Sequence, residues 1–297
     1  MVENRSISSR IRVFIIYTIV IMLGLSCLLP LINILAISLS SSAAVSANKV
    51  GLLPVNFTIA AYLRILEDSQ FWRSFLISVI RVILSLVLNV VLVVTMAYPL
   101  TKSKKEFRGR NIYMGLMVFA MLFSGGMIPS YILVKNLGLL NTIWSLVLPG
   151  ALQIFNVILV MNFFLGIPKS LEEAARIDGA GPLKVLVSIY IPCSLPVIAT
   201  IALFSIVGSW NDFFSGLIYM QKQNMYPIMT YIQSLSIDMQ ELLKASVSTD
   251  GLTNLAELSN KNLNAAKIVV SVIPLLMIYP FLQKYLLTGI VIGSVKE

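Results

Sequence analysis

Among the residues able to do chemistry, the densest group is the polar run Ser170-Leu171-Glu172-Glu173-Ala174-Ala175-Arg176-Ile177-Asp178-Gly179, which lies between two apolar stretches and leads to Ile189-Tyr190-Ile191-Pro192. These residue types suit docking against another protein. Pro168 disfavours helix just ahead of the run. Ser170 as an N-cap, with Glu173 three residues on, reads as a capping box. Leu171, Ala174, Ala175 and Asp178 then fall at i, i+3, i+4 and i+7, one face of a short helix. On that face the two alanines let a partner surface come close. Gly179 suits a left-handed stop, and Pro182 the first position of a second short helix. Glu173 is a candidate for a salt bridge to the partner as well as for the cap.

A second group consists of polar residues inside apolar stretches, where they are costly and face a cavity or another helix. Arg81 is either an intramembrane cation facing a polar pathway, a structural partner of Asp212, or a snorkelling side chain. Gln153 and Asn156, three apart and so on one helical face, either bond solute hydroxyls or glue helices together. In Trp210-Asn211-Asp212-Phe213-Phe214 the rings can stack on a pyranose while Asn211 and Asp212 bind its hydroxyls. The other reading of that run is an aromatic belt with a polar helix contact. Asn89 is a further candidate of the same kind.

Composition narrows the remaining chemistry. The chain is 58% hydrophobic and 12% charged, with a mean hydropathy of +0.89, which implies an integral membrane protein. It has no histidine, which removes histidine relays, the usual nucleophile-base sets and most transition-metal sites. There is no G-x-x-x-x-G-K-[ST] to cradle a nucleotide. Cys27 and Cys193 lack metal-ligand spacing and are expected in separate regions, so no disulfide is expected. The net charge of +9 reads as topology, with no nucleic-acid partner implied. Arg5 to Arg12 and the apolar run behind them resemble a signal peptide, but the run is too long and lacks a convincing cleavage site. A retained first span is expected.

Six spans of roughly 20 residues or more must position these groups: 12–38, 72–100, 111–129, 142–166, 196–219 and 265–288. Ser124-Gly125-Gly126 and Pro129 are expected to break the third near its outer end, where irregular backbone needs shielding. Leu133, Leu137, Leu139 and Leu140 suggest an interfacial helix after it. Lys102, Lys104, Lys105, Arg108 and Arg110 crowd one short loop, so the positive-inside rule puts both termini, 102–110 and 167–195 in the cytoplasm. The organisation expected is a tail over 1–11, a membrane domain over 12–288 with outer loops 39–71 and 220–264, and a tail over 289–297.

The 167–195 loop resembles the EAA loop of ABC importer permeases, E-A-A-x3-G-x9-I-x-L-P. Glu173-Ala174-Ala175, Gly179, Ile189 and Pro192 match at that spacing, with Ile191 in place of the usual leucine. Met121 to Pro129, Leu137 to Trp144, Val207 to Phe214 and the tail Leu287 to Lys296 look like the carbohydrate-uptake permeases, more narrowly the LplC/YtcP-like subgroup related to MalG. The similarity covers roughly 70–297. It implies an all-α, polytopic protein with the type I (MetI-like) permease fold, in the membrane of a bacterial-type cell. It also implies a coupling helix using Leu171, Glu172, Glu173, Ala174, Ala175, Ile177, Asp178 and Gly179, supported by Ile189 and Pro192. A second ATPase contact is implied through Gly289, Gly293, Val295 and Lys296. The partners implied are a homologous permease subunit forming a heterodimer, two ATPase subunits holding ATP and magnesium, an extracytoplasmic solute-binding protein, and membrane lipid. The chain itself would bind no cofactor and be no enzyme. The subgroup points to oligosaccharides or polysaccharide fragments, acidic ones included, which Arg81 would suit. Amino acid or peptide import, and ion-coupled secondary transport, are the alternatives; the second needs matching repeats or buried coupling acids, and Asp212 is the one acid expected within a span.

Overall fold

The computed structural model of the chain describes residues 7–235 and 261–294, and their regular structure is entirely helical. The chain forms two compact units, Met1–Ser69 with Ser234–Val272 and Gln70–Gln233 with Ile273–Glu297.

The first unit begins with α1 (Ile7–Ser38), whose apolar side chains from Ile11 to Leu31 are exposed, as befits a surface solvated by lipid. The chain then folds back through α2 (Ser42–Ser46) and the amphipathic α3 (Ala60–Glu67). Buried Ser40 holds this return by accepting from the Val55 N–H at 2.9 Å. The start of the Lys261–Ser294 helix packs here. Lys267 pairs with Asp68 at 2.6 Å, and Asn262 donates to the Ser40 carbonyl.

The second unit is built on α4 (Ser69–Leu100). Its apolar residues make one face of the core, where Val93, Ala97 and Leu100 meet Val157, Phe164, Leu186 and Ile201. Polar residues run down another stripe at spacings of three or four, from Gln70 through Ser74, Ser78, Arg81 and Ser85 to Asn89. All but Gln70 are buried.

The remaining helices are short because the sequence interrupts them. After α5 (Arg110–Leu122), the residues Phe123 to Gly126 turn the chain through 114° into α6 (Met127–Asn136). Gly126 takes a φ of +83°, open to glycine without strain. The break therefore falls where Ser124-Gly125-Gly126 predicts it, but Pro129 sits in the first turn of α6, which replaces both the end of the 111–129 span and the helix expected beyond it. The 142–166 span is likewise divided. Pro149-Gly150 ends α7 (Ile143–Val147) in a tight turn, and α8 (Ile154–Leu165) restarts at an angle of 49°.

The polar run forms α9 (Lys169–Ile177), followed by α10 (Pro182–Val185). A widened π turn over Leu186–Tyr190 and then α11 (Ile191–Cys193) continue it. Pro192 accounts for the widening, since it has no N–H to return to the carbonyl of Ser188. A bend of 84° at Ser194 leads into α12 (Leu195–Asn211). That helix stops at extended Asp212, short of the 219 expected, and α13 (Phe214–Tyr219) follows. Residues 228–235 are helical. The last helix, α14 (Lys261–Ser294), runs past 288, so Gly289 and Gly293 lie on helix where a tail was expected. Val295, Lys296 and 236–260 of the 220–264 loop fall outside the described residues. Among the described residues, three helices are long and apolar enough to cross a membrane singly, and three bent pairs could each supply one more crossing.

Candidate functional site

α9 buries none of its residues. The expected capping box is not formed, because the helix begins earlier, at Lys169 behind Pro168, and no side chain caps it. Proline fixes the φ of the preceding turn and has no N–H to satisfy, so it starts the helix without Ser170. Glu173 is consequently left without a hydrogen bond or ion pair among the described residues, and it is exposed. Beside it stand exposed Leu171, Ala174 and Ile177, the last 86% accessible, with Leu183 of α10 at 76%. Ala175 faces the other way and packs against the core. Asp178 lies just outside the helix, so the face expected to end with it ends one turn sooner. Gly179, with φ +79°, stops the helix in the left-handed region, and Pro182 opens α10. Ile189 is half-buried against the core, whereas Pro192 is exposed.

Glu172 takes the internal role. Its two carboxylate oxygens accept from Lys102 Nζ at 2.6 and 2.7 Å, from Tyr190 Oη at 2.7 Å, and from Arg176 at 2.7 and 3.1 Å. Lys102, just beyond the end of α4, lies 4.1 Å over the ring of Tyr98 and 5.1 Å from that of Tyr190. The two rings meet edge to face, and Phe164 closes the other side of Tyr190. Both charged side chains are only 12% exposed. In such shelter a charge-assisted hydrogen bond contributes about 1.5–3 kcal/mol. Burial pushes the Glu172 carboxyl up, but hydrogen bonds from Lys102, Tyr190 and Arg176 outweigh it and hold it at about 2, against an ordinary 4.5. Hydrogen bonds from Ser103 similarly lower Glu106 on the same loop. A cavity of about 330 Å³ opens beside this cluster, with Lys169 and Glu173 at its lining.

The intramembrane candidates are engaged differently. Arg81 pairs with the Asp212 carboxylate and also donates to its backbone carbonyl at 2.8 Å, across the α12–α13 break. The other Asp212 oxygen accepts from the Ser215 N–H and so caps α13. Asn89 donates to the Ala151 carbonyl at 3.0 Å, in the break between α7 and α8. Asn156 reaches Asn89 Oδ1 at 3.3 Å and Gln153 Oε1 at 2.9 Å, while its own Oδ1 has no partner among the described residues. Gln153 and Asn156 do not sit inside one continuous span over 142–166; Pro149-Gly150 puts them at the restart of α8. Trp210 is buried edge-on against Phe75. Asn211, Gln153, Phe213 and Phe214 are exposed.

Several participants have no local signal. Lys102 and Tyr190 lie 70 and 18 residues from Glu172, and Lys102 reads only as a topology charge. Ser78, which accepts from the Ile228 N–H at 2.7 Å, was traceable only as a member of the polar stripe on α4.

Comparison with known proteins supplies the context for this geometry. The model of a family described as "binding-protein-dependent transport system inner membrane component" matches residues 89–291. Protein LplC of Bacillus subtilis (strain 168) is 39% identical over 288 residues, 96% of this chain and 95% of that protein. The polygalacturonan/rhamnogalacturonan transport system permease protein YtcP of the same organism is 38% identical, over 97% of this chain and 99% of its own. A crystal structure of a bacterial ABC transporter involved in the import of the acidic polysaccharide alginate contains a chain of the same fold. It matches with a TM-score of 0.83 and 34% identity, over 94% of this chain and 98% of that one.

Proposed function

We infer the function of this chain from its family, for it belongs to the binding-protein-dependent transport system inner membrane components: it is a multi-pass membrane permease subunit of an ATP-driven sugar importer, not an enzyme. Its solute is an oligosaccharide or polysaccharide fragment, in keeping with the alginate import and polygalacturonan/rhamnogalacturonan transport named for two relatives. Amino acid or peptide import gains no support from them. Nor does ion-coupled transport, because Asp212, the one acid expected in a span, is held by Arg81.

One observation carries the coupling half of the reading. α9 presents exposed Leu171, Glu173, Ala174 and Ile177 to the outside, while Glu172 and Ala175 hold it inward. A helix with apolar side chains exposed and one carboxylate unpaired is built to be covered by a partner. That partner is one of two ATPase subunits, which bind ATP and magnesium. The basic 102–110 loop supports a cytoplasmic location for this end and for both termini, and Gly289, Gly293, Val295 and Lys296 are the residues for a second contact with the ATPase. A homologous permease subunit supplies the other half of the pathway, and a solute-binding protein delivers the sugar from outside. Gln153 and Asn211 are the solute-facing candidates that remain exposed. Arg81, paired with Asp212, is not left as an open cation for an acidic sugar.

Purification of the tagged chain in mild detergent tests the reading. A homologous permease and an ATPase should accompany it, and a sugar-loaded binding protein should stimulate hydrolysis. Recovery of the chain alone, with uptake in cells surviving ATP depletion and collapsing with the ion gradient, would contradict it.

A further inference from the structure

We propose that the cluster of Lys102, Glu172 and Tyr190 is the transmission clamp of this subunit: it makes α9 and the end of α4 move as one body. The inference rests on the permease reading above and assigns positioning roles to three residues that do not themselves face the ATPase.

The attachment of α9 is what demands such a clamp. The helix buries no residue, and of its apolar side chains only Ala175 packs on the core. Its ends are a proline turn at one side and left-handed Gly179 at the other. A force applied to its exposed face would therefore tilt it on these ends unless something ties it down. Glu172 is that tie. One carboxylate reaches Lys102 at the end of α4 and Tyr190 at the end of the π turn, both across helix boundaries. Lys102 is itself fixed over Tyr98 of α4 and beside Tyr190, and Tyr98 and Tyr190 belong to the core. Arg176 also bonds Glu172, but within α9, and its reach beyond that helix is a half-exposed pair with Glu106 at 3.9 Å, a weaker tie than the sheltered bonds of Lys102 and Tyr190. The same α4 carries Asn89 and Arg81, which bond the breaks before α8 and α13. Displacing the end of α4 thus reaches the two interrupted spans through bonds already in place.

The test uses the whole assembly in proteoliposomes, with Cys27 and Cys193 replaced by serine and nitroxide labels at Lys169→Cys and Thr95→Cys. In the parent, the α9–α4 distance distribution should be the same without nucleotide and with ATP and vanadate. Lys102→Met and Glu172→Gln should keep the ATPase bound and its basal hydrolysis at the parent level. Stimulation by a binding protein loaded from an oligogalacturonide mixture should fall by about five-fold or more, and the distance should change with nucleotide. Tyr190→Phe should act in the same direction, whereas Arg176→Gln, which removes only half-exposed bonds, should have a much smaller effect. Unchanged distances and full stimulation in Lys102→Met and Glu172→Gln would overturn the clamp. So would loss of the ATPase from these variants, which would make the cluster part of the docking surface. A parent that recruits no ATPase would contradict the permease reading itself, and a parent that recruits one without responding to the oligogalacturonides would contradict only the solute; the distance arm still decides on the clamp.

Discussion

The polar stripe of α4 and the cluster around α9 use the same kinds of residue to opposite ends. Along α4, Gln70, Ser78, Arg81 and Asn89 each meet a backbone group where another segment starts or breaks: Gln223, Ile228, Asp212 and Ala151. In hydrocarbon such a freed N–H or C=O costs several kcal/mol if left alone, so these side chains are committed to the fold. Around α9, Glu172 is committed to the fold through Lys102, Tyr190 and Arg176, and Glu173 next to it is left open to solvent. A polar residue beside a helix break is first a cap for that break, whereas one beside an internally satisfied neighbour is free to meet a partner.

The largest expected loss is at Arg81. Asp212→Ala would leave its guanidinium buried and unpaired, and should cost about 3–5 kcal/mol, seen as a lower melting temperature in detergent and poor yield. A variant of normal stability but altered sugar preference would move Arg81 to the solute-facing side of the comparison. Gly216→Ala should come next. A Cβ there would lie 2.1 Å from Thr230 Oγ1, and overpacking of this kind costs about 1–3 kcal/mol. Since Thr230 donates to the Phe213 carbonyl, thermal unfolding should register the loss of the α13 contact; a parent-like melting temperature would show that α13 is held elsewhere.

In the α9 region the expected losses are of coupling more than of stability. Gly179→Val forces a branched side chain into the left-handed region, at about 1–2 kcal/mol, though nothing lies within 4 Å of its Cβ. The ATPase should be lost in pull-down before the fold is; a variant that assembles and transports like the parent would contradict this. Acid titration sharpens the role of Glu172. Its value in the folded protein, about 2, lies below the ordinary 4.5, so its stabilisation is complete above 4.5 and is lost as pH falls toward 2. The melting-temperature gap between parent and Glu172→Gln should be constant from neutrality to pH 4.5 and shrink below it. Glu173→Gln should change stability least, within about 0.5 kcal/mol, yet weaken ATPase recruitment. Retained recruitment and transport would remove the salt bridge from the account.

How much of this was legible in the sequence differs between the two regions. Gly179, Pro182 and the break at Ser124-Gly125-Gly126 act through their own backbone limits, and such limits can be read locally. So can the apolar stretches, because lipid demands length and composition alone. The capping box at Ser170 and Glu173 was misleading, since Pro168 starts the helix without it. The division of 142–166 follows from Pro149-Gly150, whose effect inside a long apolar run is visible only once the chain is folded. The Lys102–Glu172 and Arg81–Asp212 pairs join residues 70 and 131 apart. No periodicity records contacts of that range, although Arg81 and Asp212 could be matched as the opposite charges of two spans.

The most direct test of the account is photo-crosslinking from α9 in the purified assembly, with a benzophenone amino acid placed in turn at Glu173, Ala174, Ile177 and, as control, the inward-facing Ala175. Adducts with the ATPase subunit from the first three positions and none from Ala175 are predicted. An intact assembly giving no ATPase adduct from any of the three exposed positions would contradict the claim that this helix is the docking element.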